Sequence, residues 1–236
     1  MNLRRAIAGV GSLYREAADA ERQYVGTCFS ILDASVFVTA GHCVRNSDVQ
    51  TLRINHFGGD DPDCFTHVRA VHMIADADIA VVTTDAPNAK WASPFQSLKY
   101  AADFGEEVYA IGHPDLFSAS PNKHELRFFR GIIQRPFLHE SPRQKPYSAF
   151  ELSFACPLGL SGGPVIRAEA GHEVLGVVTG NCETYSVIDT EQTNGTSSVV
   201  ETRRIISYGV AANIVYAAPK LQDLLGRSLP NRLSEQ

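Results

Sequence analysis

Ser161 lies in a segment whose residue types suit an activated nucleophile. Residues 159–164 read Gly-Leu-Ser-Gly-Gly-Pro, so glycines flank the hydroxyl, can expose it and can turn the neighbouring amides toward one point. A free serine is a poor nucleophile at neutral pH and needs an adjacent base that a third group orients. The segment therefore predicts acyl-transfer chemistry if a histidine and a carboxylate accompany it.

A histidine and a carboxylate in suitable contexts precede Ser161 in the chain. His42 belongs to the sequence Thr-Ala-Gly-His-Cys, directly after an apolar run, and Asp78 opens the sequence Asp-Ile-Ala-Val-Val. Asp76 lies two residues before Asp78 and would share its strand face, so it is the alternative carboxylate. The chain has eight histidines, and of the seven others we expect His72 and His113 to be structural or exposed.

Together, these three motifs resemble those of the trypsin-like serine peptidases. The bacterial branch that includes the Deg/HtrA proteases is the nearer relative. The resemblance covers about residues 24–218 and includes the run Val-Tyr-Ala-Ile-Gly-His-Pro at 108–114. We expect no PDZ-like module after the peptidase region.

The resemblance implies a role for each residue of the candidate site. His42 would act as general base and then as acid, Asp78 would orient its imidazole, and Ser161 would attack the carbonyl carbon. The backbone amides of Gly159 and Ser161 would form the oxyanion hole. The Asp-Ile-Ala signature selects Asp78 over Asp76. The first interpretation is therefore a serine endopeptidase that works through an acyl-enzyme, with no cofactor and no metal.

Two alternatives remain open at this stage. One is a catalytically inactive trypsin-like module that binds partners through the cleft or through an N-terminal helix. The other is an esterase, because the same triad can hydrolyse esters. The joint presence of His42, Asp78 and Ser161 favours the protease, since a binding module has no physical need of all three.

The resemblance also implies a first specificity pocket. Its floor would be Ala155, the residue six before the serine, with Cys156 beside it. Its walls would come from Val178, Thr179, Gly180, Asn181 and Gly209. A substrate Arg or Lys would find no counter-charge there, which costs several kcal/mol. We expect cleavage after uncharged, small-to-medium side chains, unless an acidic residue of the 183–206 segment folds inward: Glu183, Asp189, Glu191 or Glu201.

The residue before the serine bears on activation. In the pancreatic members of the family it is an aspartate that binds a newly cut N-terminus, whereas here it is Leu160, which cannot form an ion pair. The enzyme is then either competent as made or switched by a regulatory protein partner. The N-terminal helix and a loop predicted at 183–197 are the candidate control elements.

Composition limits the other partners of the chain. With 236 residues, of which 44% are hydrophobic and 20% charged, the chain suits a globular protein with a sizeable core. A net charge of −5 without large Lys/Arg clusters predicts no nucleic-acid partner, and no uncharged apolar run is long enough to predict a membrane partner. The protein or peptide substrate is the expected partner. Residues 4–11 imitate a secretory signal, but Arg15 and Glu16 interrupt it early, which predicts a cytoplasmic location.

Five cysteines are present in the chain. In the family it resembles, Cys28 and Cys43 occupy positions that are often bridged beside the histidine, and Cys156 and Cys182 flank the serine loop and the following strand. The expected reducing location argues instead for buried thiols. No Cys-x-x-Cys pair occurs, so a zinc site has little support.

The elements that must position these residues are mostly strands. Apolar residues of the 1–22 segment recur at spacings of three and four, which predicts an N-terminal helix that covers a barrel end or binds a partner. From Tyr24 onward, short β-branched and aromatic runs predict an all-β chain of about twelve strands.

The resemblance arranges these strands as two six-stranded antiparallel β-barrels with the site in the cleft between them. The peptidase domain would cover residues 23–236, and the crossover would fall near residues 88–104. The expected bounds are about 23–87 for the first barrel, about 105–213 for the second and about 214–226 for a C-terminal helix.

Overall fold

The computed structural model describes most of the chain, with gaps. The described residues are 9–17, 21–31, 33–56, 65–74, 76–85, 95, 97–98, 102–115, 125–141, 144–169, 173–192 and 199–226.

Six antiparallel strands close into a first barrel, called barrel one. They are β1 (Val10–Glu16), β2 (Arg22–Ile31), β3 (Asp33–Ala40), β4 (Leu52–His56), β5 (Phe65–Ile74) and β6 (Ile79–Thr84). Their order around the barrel is β1-β2-β3-β6-β5-β4. A short helix α1 (Gly41–Val44) and a 3₁₀ helix (Val49–Thr51) connect β3 to β4.

The predicted N-terminal helix is wrong for residues 10–16, which form β1. This strand pairs with β2 on one side and with β4 on the other, so Gly11 lies opposite both Cys28 and His56. Pairing on both sides satisfies the backbone of β1 and closes the barrel, and this outweighs the helical spacing of the apolar residues. Barrel one therefore begins at Val10 rather than near residue 23. Residues 1–8 lie outside the described part.

Six further strands form a second barrel, called barrel two. They are β8 (Glu107–Gly112), β9 (Arg127–Ser141), β10 (Gln144–Leu152), β11 (Pro164–Arg167), β12 (Glu173–Gln192) and β13 (Val199–Asn213). The sheet order is β11-β8-β9-β10-β13-β12, and β11 also pairs with β12, which closes the ring. A two-residue strand β7 (Ser97–Leu98), in the predicted crossover, adds parallel to β12. The expected all-β, two-barrel architecture is confirmed.

The loop predicted at 183–197 is also wrong where the structure describes it. β12 and β13 continue beyond the barrel as a two-stranded ribbon, with paired residues from Cys182 and Tyr208 out to Gln192 and Val199. Residues 183–185 and 204–206 of the ribbon are exposed to water, and a polar side chain such as that of Glu183 suits such a surface. Residues 193–198 lie outside the described part.

The end of the described chain is helical. A 3₁₀ helix (Ile214–Ala217) leads into α2 (Ala218–Leu225), which ends at Gly226 in the left-handed conformation with φ +59. A glycine at this position is the usual helix terminator, as the sequence predicted.

One hydrophobic core joins the two barrels and α2. Its buried residues include Phe29, Val38 and Val81 of barrel one, Tyr147, Val177 and Val210 of barrel two, and Leu221 of α2. Each barrel also has a core of its own. The shared core fixes the barrels against each other, so groups on facing edges keep a defined geometry.

Because residues 10–16 form a core strand, a buried side chain on it should contribute to the free energy of unfolding. Leu13 of β1 is fully buried in the core of barrel one, so Leu13→Ala should lower the free energy of unfolding by about 2–5 kcal/mol. Leu138→Ala on β9 is the matched control, because that side chain is 58% exposed and its loss should change stability by no more than about 0.5 kcal/mol. Urea titration followed by circular dichroism measures both. Equal, small losses would contradict a core strand at residues 10–16.

Candidate active site

His42 lies on α1, directly after β3, and its backbone is bound to Asp78. The amide of His42 donates to Oδ1 of Asp78 at 2.9 Å, and the amide of Gly41 donates to the carbonyl oxygen of Asp78 at 2.9 Å. A side chain at Gly41 would begin 2.9 Å from Oδ1 of Asp78, so glycine allows this close approach. The start of α1 is thus built around the Asp78 carboxylate.

The imidazole of His42 faces the same carboxylate. Nδ1 of His42 lies 2.5 Å from Oδ2 of Asp78, and Nη2 of Arg45 donates to Oδ1 of Asp78 at 3.3 Å. The Asp78 side chain is only 5% exposed, whereas that of His42 is 41% exposed. A buried carboxylate therefore holds one edge of the imidazole and leaves the other side of the ring accessible.

Asp76 does not share this arrangement. Its side chain is 66% exposed and pairs with Lys145, with Nζ 3.4 Å from Oδ1. The geometry thus selects Asp78 as the carboxylate that contacts His42.

The pKa of His42 is raised above its ordinary value of about 6.5. Burial is the largest single influence and lowers this pKa, but the hydrogen bonds and charge interactions with Asp78 and Cys43 together raise it by more. Three other titratable groups surround the pair. Arg45 is hydrogen-bonded to Asp78, and the negative charge of Asp78 acts to raise the pKa of His139 and Tyr147 in barrel two.

The segment around Ser161 is anchored to barrel one by its backbone. The amide of Thr27 donates to the carbonyl oxygen of Ser161 at 2.8 Å, and the thiol of Cys43, next to His42, lies 3.8 Å from the same oxygen. Gly162 has φ +89, and a side chain there would begin 1.9 Å from the carbonyl oxygen of Thr27. The glycine after Ser161 thus permits the contact between the barrels.

Barrel two holds the other side of the same segment. The amide of Gly162 donates to the carbonyl oxygen of Val178 at 2.8 Å, and the amide of Val178 donates to that of Gly163 at 2.9 Å. Leu160 is fully buried in the core of barrel two. An apolar residue before Ser161 therefore fixes the loop by packing, where the family's pancreatic members have an ion pair.

The predicted specificity residues separate into two groups. The structure brings together Cys156, Asn181 and Gly209: a side chain at Gly209 would begin 2.5 Å from the sulfur of Cys156. The Asn181 amide group bonds the backbone of Cys156 twice, accepting from its N–H and donating to its carbonyl oxygen, each at 2.7 Å. Ala155 is exposed, so Cys156 rather than Ala155 is the buried residue that faces Gly209.

The other residues predicted for the pocket walls are Val178, Thr179 and Gly180. Val178 is buried, and its backbone binds the serine loop as described above. The Thr179 hydroxyl donates to the carbonyl oxygen of Val210 and accepts from Tyr147, each at 3.3 Å. A side chain at Gly180 would meet nothing within 4 Å.

The acidic residues that the sequence offered as a counter-charge for the pocket lie along the ribbon. Asp189 is eight residues beyond Asn181 on β12, about 26 Å at the usual rise of a strand, and Glu191 and Glu201 pair still farther out. Glu183 is closer, but it is exposed and its carboxylate accepts from the Ser207 hydroxyl at 3.5 Å.

The cysteines are free thiols in the structure. This applies to Cys28, Cys43, Cys156 and Cys182, of which the first three are buried. The position opposite the Cys43 sulfur belongs to Gly26, where a side chain would begin only 2.7 Å away. Burial raises the pKa of Cys156 to about 12, which keeps it a thiol at neutral pH. The expectation of buried thiols is confirmed for these three, and Cys64 lies outside the described part.

Three residues near the site were not identified from the sequence. Arg45 lies three residues after His42, a spacing that puts both on one side of a helical turn, so its contact with Asp78 had a local signal. Tyr24 and Thr27 contact the loop at Gly159, more than a hundred residues later, and no local pattern could have indicated this.

The described residues include neither a metal-binding cluster nor a membrane-spanning helix. No three His, Cys, Asp or Glu side chains in this part of the chain are grouped so that they could hold a metal ion. None of the helices described here has the length and apolar character needed to cross a bilayer.

The family of the trypsin-like peptidase domain matches residues 26–177, well over half of the chain. The chain belongs to this family of serine proteases. The match covers His42, Asp78 and Ser161, and it confirms the family that the motifs predicted. No curated protein matches the sequence of this trypsin-like peptidase.

Solved structures of proteases share the fold of this trypsin-like peptidase. The active form of the Rv3671c protease from M. tuberculosis has a TM-score of 0.65 and 16% identity, over 97% of this chain and 86% of that one. The HtrA-type protease AlgW with a decapeptide has a TM-score of 0.62 and 16% identity, over 95% and 66%. An inactivated protease paralogue from the scabies mite has a TM-score of 0.65 and 15% identity, over 94% and 96%.

Proposed function

We propose that this chain is a serine endopeptidase in which His42, Asp78 and Ser161 form the catalytic triad. The observation that carries the proposal is the contact of the buried Asp78 carboxylate with Nδ1 and the backbone amide of His42. The carbonyl oxygen of Ser161 contacts Thr27 and Cys43, the residue after His42, which supports the choice of Ser161 as the nucleophile.

The first half of the reaction forms an acyl-enzyme. With Nδ1–H directed at Asp78, Nε2 of His42 is the ring atom that can accept a proton. Oγ of Ser161 attacks the substrate carbonyl carbon as its proton passes to Nε2, and the carbonyl oxygen becomes an oxyanion. The amides of Gly159 and Ser161 stabilise that charge. The imidazolium then gives its proton to the leaving amine, and the peptide C–N bond breaks.

The second half releases the acid product. Water replaces the amine, loses a proton to Nε2 of His42 and attacks the acyl carbon. The second tetrahedral intermediate collapses when His42 returns that proton to Oγ of Ser161. The ionised Asp78 stabilises the imidazolium in both halves, and its bond to Arg45 compensates its burial.

A catalytically inactive binding module is the competing proposal. An inactivated protease paralogue with the same fold is among the solved structures, so the fold alone does not entail activity. The two proposals differ in whether the hydroxyl of Ser161 is activated.

A fluorophosphonate probe distinguishes these proposals. The folded protein should be labelled on Ser161, because the probe reacts with an activated serine hydroxyl, and Ser161→Ala should abolish both labelling and peptide hydrolysis. Ser207→Ala, a change on the ribbon, is the matched control and should be labelled like the parent. Mass spectrometry of the labelled peptide identifies the residue. An unlabelled folded protein would favour the binding module, and undiminished labelling of Ser161→Ala would remove this serine from the mechanism.

The pH dependence of acylation follows from the raised pKa of His42. Only the neutral imidazole accepts the serine proton, so kcat/KM should rise with pH, with a midpoint above about 6.5. Asp78→Asn removes the carboxylate that raises this pKa and leaves the burial that lowers it. The midpoint should then move to lower pH while the plateau falls by about 10⁴.

The rate of fluorophosphonate labelling across the pH range measures both quantities. Asp76→Asn is the matched control, because Asp76 pairs with Lys145 and not with His42, and it should change neither the midpoint nor the plateau. A midpoint that stays in place in Asp78→Asn would contradict the assignment of the base and its partner.

We further propose cleavage after small, uncharged side chains. Asn181 joins the backbone of Cys156 to β12, and the Cys156 thiol lies against Gly209, so the candidate pocket is narrow and is lined by an amide and a thiol. Peptides that differ only in the residue before the cut should give the highest kcat/KM with Ala or Val. Arg and Lys should be at least about 100-fold worse. A preference for Arg or Lys would contradict this pocket.

A further inference from the structure

Two hydroxyl groups of β2 hold the loop that precedes Ser161. The hydroxyl of Tyr24 donates to the carbonyl oxygen of Gly159 at 2.7 Å, and that of Thr27 donates to the same oxygen at 2.8 Å. The contact joins barrel one to barrel two across more than 130 positions in the chain. We call Tyr24, Thr27 and the Gly159 carbonyl the hydroxyl clamp.

Both hydroxyls of the clamp also contact the backbone of His113, at the end of β8. The Tyr24 hydroxyl contacts the carbonyl oxygen of His113, so its single proton is shared between two carbonyl groups. The amide of His113 donates to the Thr27 hydroxyl oxygen at 3.0 Å, which leaves the hydroxyl proton of Thr27 for Gly159. Burial raises the pKa of Tyr24, so this phenol remains a donor at neutral pH.

The peptide unit before Gly159 is fixed from the other side. The amide of Asp115 donates to the carbonyl oxygen of Leu158 at 2.7 Å. Because the C=O and N–H of a trans peptide point in opposite directions, the N–H of Gly159 is turned away from Asp115. Gly159 has φ +84, and a side chain there would begin 2.6 Å from the Asp115 nitrogen and 2.7 Å from the Tyr24 ring. The glycine is thus wedged between Tyr24 and the segment 113–115.

We propose that Tyr24 and Thr27 are positioning residues that fix the Gly159 amide in the orientation that stabilises the oxyanion. This rests on the proposed function of Ser161. Two peptide planes meet at Gly159: the clamp holds the following one through the Gly159 carbonyl, and Asp115 holds the preceding one, which carries the Gly159 N–H, through the Leu158 carbonyl. Fixing the following plane restricts the φ and ψ angles of Gly159 to one of the combinations open to a glycine, and so holds its N–H in one orientation. Leu160 supplies no ion pair, so the clamp and the burial of Leu160 order this loop within the domain. The oxyanion hole then forms without cleavage of the N-terminus and without a regulatory partner.

The test separates transition-state stabilisation from simple binding. A peptide boronate forms a tetrahedral adduct on the serine and places an oxygen in the oxyanion hole, whereas the corresponding peptide amide, without boron, only occupies the cleft. Tyr24→Phe keeps the ring, including its edge contact with Tyr14 at 5.5 Å, and removes the hydroxyl. Thr27→Val removes the second hydroxyl, and Thr27→Ser keeps it.

We expect Tyr24→Phe and Thr27→Val each to lower kcat and the boronate affinity by about 10-fold. This loss is smaller than the roughly 100-fold or larger loss in kcat that follows removal of an oxyanion donor itself, because the donor is still present. The affinity for the peptide amide should not change, and Thr27→Ser should restore the parent values. Tyr109→Phe, on β8 beside Arg130, also removes a phenol hydroxyl and is the matched control, which should resemble the parent.

The outcomes distinguish the two proposals. If the parent protein is not labelled by fluorophosphonate, the proposed function fails. If the parent is labelled and the boronate affinity of folded Tyr24→Phe and Thr27→Val is unchanged, the positioning role is overturned. Equal loss of affinity for boronate and amide would also overturn it, because that result describes a distorted cleft. If one of the two variants does not fold, the other variant is compared with Thr27→Ser in kcat, boronate affinity and peptide-amide affinity, and that comparison decides the positioning role.

Discussion

The contact between the barrels at Thr27 is the constraint on which the site depends. Thr27 binds the Ser161 carbonyl through its amide and the Gly159 carbonyl through its hydroxyl, and its own carbonyl accepts from Thr39 of β3. Gly162 passes so close to this strand that no side chain fits there. A serine from one barrel and a histidine from the other can cooperate only if this junction is rigid, and the shared hydrophobic core makes it so.

The buried charge of Asp78 is the second requirement of the same junction. A carboxylate removed from water is costly unless it is paired and hydrogen-bonded. The Asp78 carboxylate is hydrogen-bonded by three groups of the α1 turn: the His42 amide, the His42 ring and the Arg45 guanidinium. The same hydrogen bonds that compensate the Asp78 charge also orient the His42 imidazole. The candidate base is therefore oriented by contacts that form when barrel one folds.

Sequence reasoning succeeded where a short pattern carries its own physical meaning. The Asp-Ile-Ala motif predicted that Asp78 rather than Asp76 would contact His42. The family resemblance carried by the three motifs predicted the two-barrel architecture. Sequence reasoning failed at β1, because apolar spacing cannot reveal that β2 and β4 will pair with residues 10–16. It failed at the β12–β13 ribbon for a related reason, since a polar segment resembles a loop and its local pattern does not reveal the pairing of the two strands. Tyr24 and Thr27 were not found because their partners lie in the other barrel.

The most direct test of the account is the structure of the protein with a peptide boronate bound. The account predicts boron bonded to Oγ of Ser161, with Nε2 of His42 in hydrogen-bond contact and Nδ1 still on Asp78. One boronate oxygen should lie about 2.7–3.1 Å from the amide nitrogens of both Gly159 and Ser161. A boronate that bonds elsewhere, or a Gly159 amide that faces away from that oxygen, would contradict a triad assembled at the junction of the barrels.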